Sequence, residues 1–549
     1  MTDVKLVRSS EESIKDHLRT YYQALESGQP VTISSLIPSY RRLMPSLHSK
    51  LNDPKIDFPA LNYCLARLPS CIFDTQTILI GQNLNQFQQE NIDFPSFKPV
   101  KSSARRRLWS FDDAAKTLAC IISSDSDIDD LVNILICFFI EWQKIKTLSK
   151  KKELDLTENE NHEILGINGN EWSGLKNLLG DDWRHDLTVS LPDYAFRLLG
   201  HNFDSYTQTS RDWWQQAKDK SLTLGLSSLP IYFISSNTHS LTNIIGGFVK
   251  HEQGQIFSYI EKSHPQLAQI WQKIKTGQND VKVNDFLYYI SNIYLKNHPQ
   301  AQRDKEHYEA NLGIKNITVN SSLFSGIQII PISTIANSIN LDGNLNVRNK
   351  EKLSQSQALI INIDYPLGFA AYYLLSTILV DLKQLKGVYL VGKAAILTGV
   401  IGDIQISKSV FDERTGNIFH LKNIFNNNFP FIGNQSDVLH DQKTICVFGT
   451  FLENSKQLND YIGAGFNIIE MESGAYLTAI AETILHKKLP QNEVINVDNL
   501  PFDLGIINYA SDNPLSKNLG EGNLALRGVE PTYLALLSVV QRIIDLESA

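Results

Sequence analysis

Two acidic segments near the C-terminus hold the residue types best suited to chemistry. In Phe466-Asn-Ile-Ile-Glu-Met-Glu-Ser-Gly-Ala475 an apolar run delivers Glu470, Met471 and Glu472 to the start of a helical pattern. A carboxylate at a helix N-terminus is stabilised by the helix dipole, so a capping acid is the plain reading. A carboxylate also offers acceptor sites for two hydroxyl groups at once, which suits a sugar diol. In Gly505-Ile-Ile-Asn-Tyr-Ala-Ser-Asp-Asn-Pro514 an apolar strand ends in Ser511-Asp512. That is the carboxyl edge where α/β sheets place active groups. Asp512 there suits a general acid for a leaving base, and an Asx turn before Pro514 is the structural alternative. A third segment, Val388–Ile406, runs from strand through Gly392-Lys393 and Gly402-Asp403 into another strand. Its glycines permit tight turns.

Those residues need a frame. The last ~230 residues alternate strand and helix patterns. Strands are expected at Ala358–Ile363, Gly387–Val391, Gly402–Ser407, Thr444–Gly449, Phe466–Ile469 and Leu504–Tyr509. Helices are expected at Phe369–Val380, Glu472–Ile484 and Pro531–Leu546. Such alternation predicts an α/β domain around a central sheet. Upstream, Leu229–Ser235 reads as a strand that runs into Ser236-Asn237-Thr238-His239 and a helix. That arrangement suits either a ligand or ordinary N-caps. The first ~150 residues look mostly helical, with helical spacing at Ser10–Ala24, Phe111–Ile122 and Asp127–Ile145. The polar run Lys150–His162 marks a boundary. Trp213-Trp214 reads as helix core. Arg105-Arg106-Arg107 reads as a solvated basic turn, and Asp412–Asn417 as a turn between two strands.

The totals bound the rest. A chain of 549 residues exceeds one ordinary domain of roughly 100–200 residues. Its net charge of −8, from 51 basic and 59 acidic residues, argues against a general nucleic-acid binder. Cys64, Cys71, Cys120, Cys137 and Cys446 are odd in number and form no CxxC pair. They read as reduced thiols of a cytoplasmic protein, not a disulfide frame or zinc site. No ligand-spaced histidine pair is present, so no metal is expected. The N-terminus has no secretory pattern. The longest apolar runs, Leu131–Ile140 and Gly368–Val380, fall short of the ~20 residues that span a bilayer.

Taken in order, the strand with Gly392-Lys393 and Gly402-Asp403, then Glu-Met-Glu-Ser-Gly-Ala, then Ser-Asp-Asn-Pro resembles the purine nucleoside phosphorylase superfamily. The Ser-Asp-Asn-Pro-Leu stretch is most similar to AMP nucleosidases, which have Ser-Asp-Lys-Pro-Leu there. The likeness covers Gln357–Leu546, about a third of the chain. It implies a three-layer α/β domain with a central mixed sheet at 321–549. A helical domain at 1–150 and a mixed α/β region at 151–320 precede it. It also implies roles. Glu472 would bind the ribose 2′- and 3′-hydroxyls, Met471 would pack on the sugar, and Asp512 would protonate the purine. Thr450 and Phe451 would line the base pocket. Arg527, Lys393 and Gly368 would serve a phosphate or other anion. The sequence departs from the family at Ile363-Asp364-Tyr365-Pro366-Leu367-Gly368, where relatives carry a glycine-rich turn. Asp364 adds a negative charge near the expected anion, which Lys393 would offset. The resemblance therefore implies hydrolysis of a purine nucleoside or nucleotide more than phosphorolysis. It implies no cofactor, a small-molecule nucleoside or nucleotide partner, no membrane, and a homo-oligomer. The altered loop equally suits a catalytically reduced binding, sensing or scaffold protein that kept the fold.

Overall fold

A strand with apolar residues on both faces needs cover on both faces. The strand Pro230–Ser236 (β7 in chain order) is of this kind. Ile231 and Phe233 join one core, while Tyr232 and Ile234 join another. A computed structural model describes residues 12–104, 107–151, 161–180, 186–187, 191–200, 203–221, 225–319, 323, 325–431, 433–516 and 525–549. It is an α/β protein built on two mixed sheets.

The first sheet joins β1 (Val31–Thr32), β2 (Thr77–Gly81), β3 (Lys98–Val100), β4 (Leu108–Asp112), β5 (Thr117–Ile121) and β6 (Ala195–Leu198) in the order β1-β6-β2-β5-β4-β3. The helix Asp125–Lys151 belongs to the same core and holds the expected buried run Leu131–Ile140. The helical reading of Phe111–Ile122 is corrected. This stretch is the β4–β5 hairpin. Asp112 Oδ1 accepts the Ala114 and Ala115 amides, which turns the chain before it can coil. In Thr117–Ile121 the apolar residues face both sides, so spacing alone did not separate strand from helix.

The second sheet has 11 strands. Its members after β7 are β8 (Lys315–Ile317), β9 (Ile327–Pro331), β10 (Leu359–Asp364), β11 (Gln384–Ile396), β12 (Ile404–Asp412), β13 (Asn417–His420), β14 (Val438–Cys446), β15 (Phe466–Glu470), β16 (Val494–Asn496) and β17 (Asp503–Asp512). β7 lies centrally, parallel to both β10 and β11. The sheet thus draws on strands N-terminal to the expected boundary at residue 321. The pairings β12–β14–β15–β11–β17–β12 close a ring, which leaves those strands no free edge.

Helices Ala370–Asp381 and Ser473–Leu485 cover one face, with Trp213 and Trp214. Trp213 Nε1 donates to Ser325 O at 3.0 Å, and Trp214 Nε1 to Asp381 Oδ2 at 2.7 Å, so both indoles are core. Helices Val283–Asn297 and Val529–Ser548 cover the other face. The core of the first sheet also takes in Tyr373, Phe448, Phe451 and Leu452 of the second unit. Among the described residues no helix is long and apolar enough to cross a membrane.

Candidate active site

A cavity of about 980 Å³ opens where the strands of the second sheet end. Ser236 ends β7 there and Asn237 follows it, Asp364 ends β10 and 365–367 follow it, and Ser511 and Asp512 end β17. β11 contributes Lys393 to Ala395, and its register against β17 shifts between Ala394 and Ala395, which sets Ala395 opposite Asp512. The N-terminal unit supplies another wall through Asn62, Tyr63, Ala66 and Arg67.

The two acids of Glu-Met-Glu divide their work. Glu470 Oε2 accepts the Glu472 and Ser473 amides at 2.8 and 2.7 Å, so Glu470 is the acid that caps the Ser473–Leu485 helix. Glu472 turns elsewhere. Its Oε1 accepts the Gly368 amide at 2.8 Å and its Oε2 the Met471 amide at 3.2 Å. Glu472 and Met471 line the cavity. Gly368 has φ +55°, and a Cβ on it would stand 2.3 Å from Ser126 Cβ, so only glycine fits.

Asp512 lies at the opposite strand end. Ser511 Oγ donates to its Oδ1 at 2.8 Å. The Asx turn around Pro514 belongs to Asn513, whose Oδ1 accepts the Leu515 amide at 2.9 Å. Asp512 is therefore not consumed by the turn. Burial raises its carboxyl above the ordinary aspartate value, while Ser511, Arg67 and Lys393 pull it back. Lys393 presents its side chain to the cavity, and the surrounding protein lowers its ammonium from the usual lysine value. The Arg67 guanidinium lies 3.3 Å over the Tyr63 ring and donates to Tyr63 O at 2.9 Å. Among the described residues neither Arg67 nor Lys393 forms an ion pair within 4.0 Å, and Arg67 Nε is buried without a hydrogen-bond partner. Glu453 lines the same space. Burial, then the nearby Glu413, pushes its pKa well above the usual glutamate value, and its Oε1 has no partner among the described residues.

The structure thus brings Glu472, Met471, Asp512, Thr450 and Lys393 to one cavity. It does not bring Phe451, Arg527 or Gly368 there. Phe451 is buried in the N-terminal core, its ring edge-on to Tyr63 at 5.2 Å. That packing seats Tyr63, whose hydroxyl donates to Thr450 Oγ1 at 3.2 Å. Arg527 is exposed outside the lining, although its neighbour Gly528 is part of it. The Gly368 amide is occupied by Glu472. Asp364, expected to repel an anion, accepts Thr238 N and Oγ1, both at 3.0 Å, and ties down the turn after β7. Arg107 is corrected from a solvated turn to a buried pair with Asp127 and Asp130 at 2.5 and 2.6 Å. Arg105 and Arg106 lie outside the described residues. Sequence reasoning missed Arg67 and Glu453. Arg67 gave no local signal, because its wall meets Thr450 across 387 positions of sequence. Glu453 did, since it lies two residues after Phe451, which was expected at the base pocket. Among the described residues no group of three or more His, Cys, Asp or Glu could hold a metal ion.

The fold and cavity define an α/β protein with an acid-bearing site lined by two units. The chain belongs to a family described as a family of unknown function (DUF6909), whose model matches residues 33–545. A comparison with curated protein sequences gave no match. Among solved structures, the chain is similar to a 5′-methylthioadenosine/S-adenosylhomocysteine nucleosidase from S. pneumoniae, with 12% identity over 43% of this chain and 94% of that one at a TM-score of 0.29. A nucleosidase of the same description from Colwellia psychrerythraea 34H is 16% identical over 42% of this chain and 86% of that one, at a TM-score of 0.29. A uridine phosphorylase from Schistosoma mansoni is 14% identical over 42% of this chain and 77% of that one, at a TM-score of 0.27.

Proposed function

We propose that this chain cleaves the N-glycosidic bond of a purine nucleoside or nucleotide by hydrolysis. The observation that carries the reading is one cavity lined by both Glu472, held by two backbone amides, and Asp512, a carboxyl whose pKa is raised by burial. Glu472 accepts hydrogen bonds from the ribose diol. Asp512, still protonated where a free aspartate is ionised, donates to the base as the bond lengthens. Positive charge grows on the sugar, and the Glu472 carboxylate opposes it at short range. A water then attacks the sugar carbon, forming the C–O bond as the C–N bond breaks, and releases its extra proton to solvent. The base keeps the proton, and Asp512 regains one from solvent.

Glu453 is a second carboxyl on the same space, its pKa raised by burial and by Glu413, and suited to a hydrogen bond at the base. Lys393 and Arg67 suit an anionic group on the substrate, since each lacks an ion-pair partner among the described residues. Of the three groups expected to hold phosphate, only Lys393 faces the cavity, which favours water as the nucleophile. The test is base release from AMP, adenosine, inosine and methylthioadenosine, with and without phosphate. Release without phosphate is expected. Release only with phosphate would make the protein a phosphorylase. Binding of a nucleotide with no release would favour a sensing role.

A further inference from the structure

The Asp412–Asn417 turn carries Arg414 into the junction between the two units. Arg414 Nη2 donates to Asp129 Oδ2 at 2.8 Å and to Ser126 Oγ at 3.0 Å. Its guanidinium lies 5.6 Å from the Phe369 ring centre and 5.0 Å from that of Phe448. Asp129 also accepts the Tyr21 and Tyr22 hydroxyls. Ser126 and Asp129 both belong to the start of the Asp125–Lys151 helix. From there the contacts run on into the site. Ser126 Oγ accepts the Phe369 amide at 2.9 Å. The amide one residue earlier, Gly368, is the one that holds Glu472 Oε1.

We propose that Ser126 and Arg414 are positioning residues for Glu472. Through them the N-terminal unit fixes the Leu367–Phe369 backbone, and that backbone aims the carboxylate. The proposal rests on the nucleosidase reading for what Glu472 is aimed at. It rests on the hydrogen bonds alone for the aiming. The physical case is geometric. An amide donor orients an acceptor only if its own peptide plane is held, and Ser126 holds the adjacent amide. Arg414 in turn orients the Ser126 hydroxyl, and the buried Asp129 carboxylate fixes Arg414. A tie that merely joined the two units would not need to hold the amide next to the one that bonds the Glu472 carboxylate.

The test uses full-length S126A against the natural chain, with hydrogen exchange and steady-state kinetics. Loss of one such bond corresponds to about a five-fold change. Amide exchange in 366–372 and 470–474 is therefore expected to rise about five-fold, with β2 and β5 unchanged. KM for adenosine is expected to rise by a similar factor, while KM for 2′,3′-dideoxyadenosine stays the same, because only the first presents the diol. Unchanged exchange at 366–372, or equal KM changes for both nucleosides, would overturn the proposal. If the exchange change appears but the natural chain neither binds nor cleaves a nucleoside, the nucleosidase reading fails and the positioning contact stands. Should S126A not be recovered folded, R414K carries the same readouts.

Discussion

At the scale of single residues, the site turns on where two carboxyl groups differ. Glu472 is fixed by two amides, and Asp512 is raised by burial. Asp512→Asn removes the transferable proton while keeping shape. We expect the rate of base release to fall by about 10²–10⁴-fold with the fold intact, checked by kcat and far-UV circular dichroism. The pH dependence has a definite sign. Asp512 acts in its protonated form, and burial raises its pKa. Activity is therefore lost as pH rises through that raised value, and D512N abolishes this basic limb. Glu472 and Asp512 could be singled out in the sequence because one follows β15 and the other ends β17, where periodicity stops, whereas Met471, Thr450 and Lys393 were named through the family resemblance, Lys393 lying inside β11. Phe451 and Arg527 were not placed by the same logic. Which neighbour a loop residue meets depends on a second unit, and the sequence of the loop does not contain it.

At the scale of elements, the strand–helix alternation from β10 to the last helix could be read directly, because a sheet covered on both faces writes unbroken apolar runs between polar turns. The N-terminal sheet could not. β4 and β5 are short, and their apolar residues fit either period. The element most exposed to a single change is the 364–369 loop. Gly368 combines a φ of +55° with Ser126 at contact distance. Gly368→Ala must shift the loop or Ser126, and either motion carries the amide away from Glu472. We expect a loss of about 1–3 kcal/mol from the backbone and the clash together, read by urea unfolding, with a rise in KM for a ribonucleoside. A variant as stable as the natural chain and unchanged in KM would sink this account of the loop.

At the scale of the whole molecule, the N-terminal unit is a wall of the site and shares its core. Phe448, Phe451 and Leu452 leave the second sheet to pack among N-terminal residues. The two units should therefore unfold together, in one calorimetric transition. Phe451→Ala should cost about 3–5 kcal/mol, the usual range for a buried phenylalanine, and lower the midpoint. Two separate transitions in the natural chain would count against a shared core. The same unit sets the response to acid. His17 is buried, with Nδ1 at 2.8 Å from Ser39 Oγ and Nε2 at 2.9 Å from Asn133 Oδ1. Burial, with a smaller push from Arg42, lowers it to about 4 from the ordinary histidine value of 6.5, against the Asn133 hydrogen bond. Between those values the unfolded chain binds the proton and the folded chain does not, so stability falls as pH drops from 6.5 toward 4. The full shift corresponds to about 3 kcal/mol. His48 acts in the opposite range. Burial alone would lower it, but Cys137 and Glu141 outweigh that and raise it to about 10. Its contribution is complete below 6.5 and declines only as pH rises toward 10. Asp285, raised by burial to about 7, contributes with the opposite sign over much of the same range, so His17 is read from the difference between the natural chain and His17→Gln: the variant should lose less stability between pH 6.5 and 4 than the natural chain does.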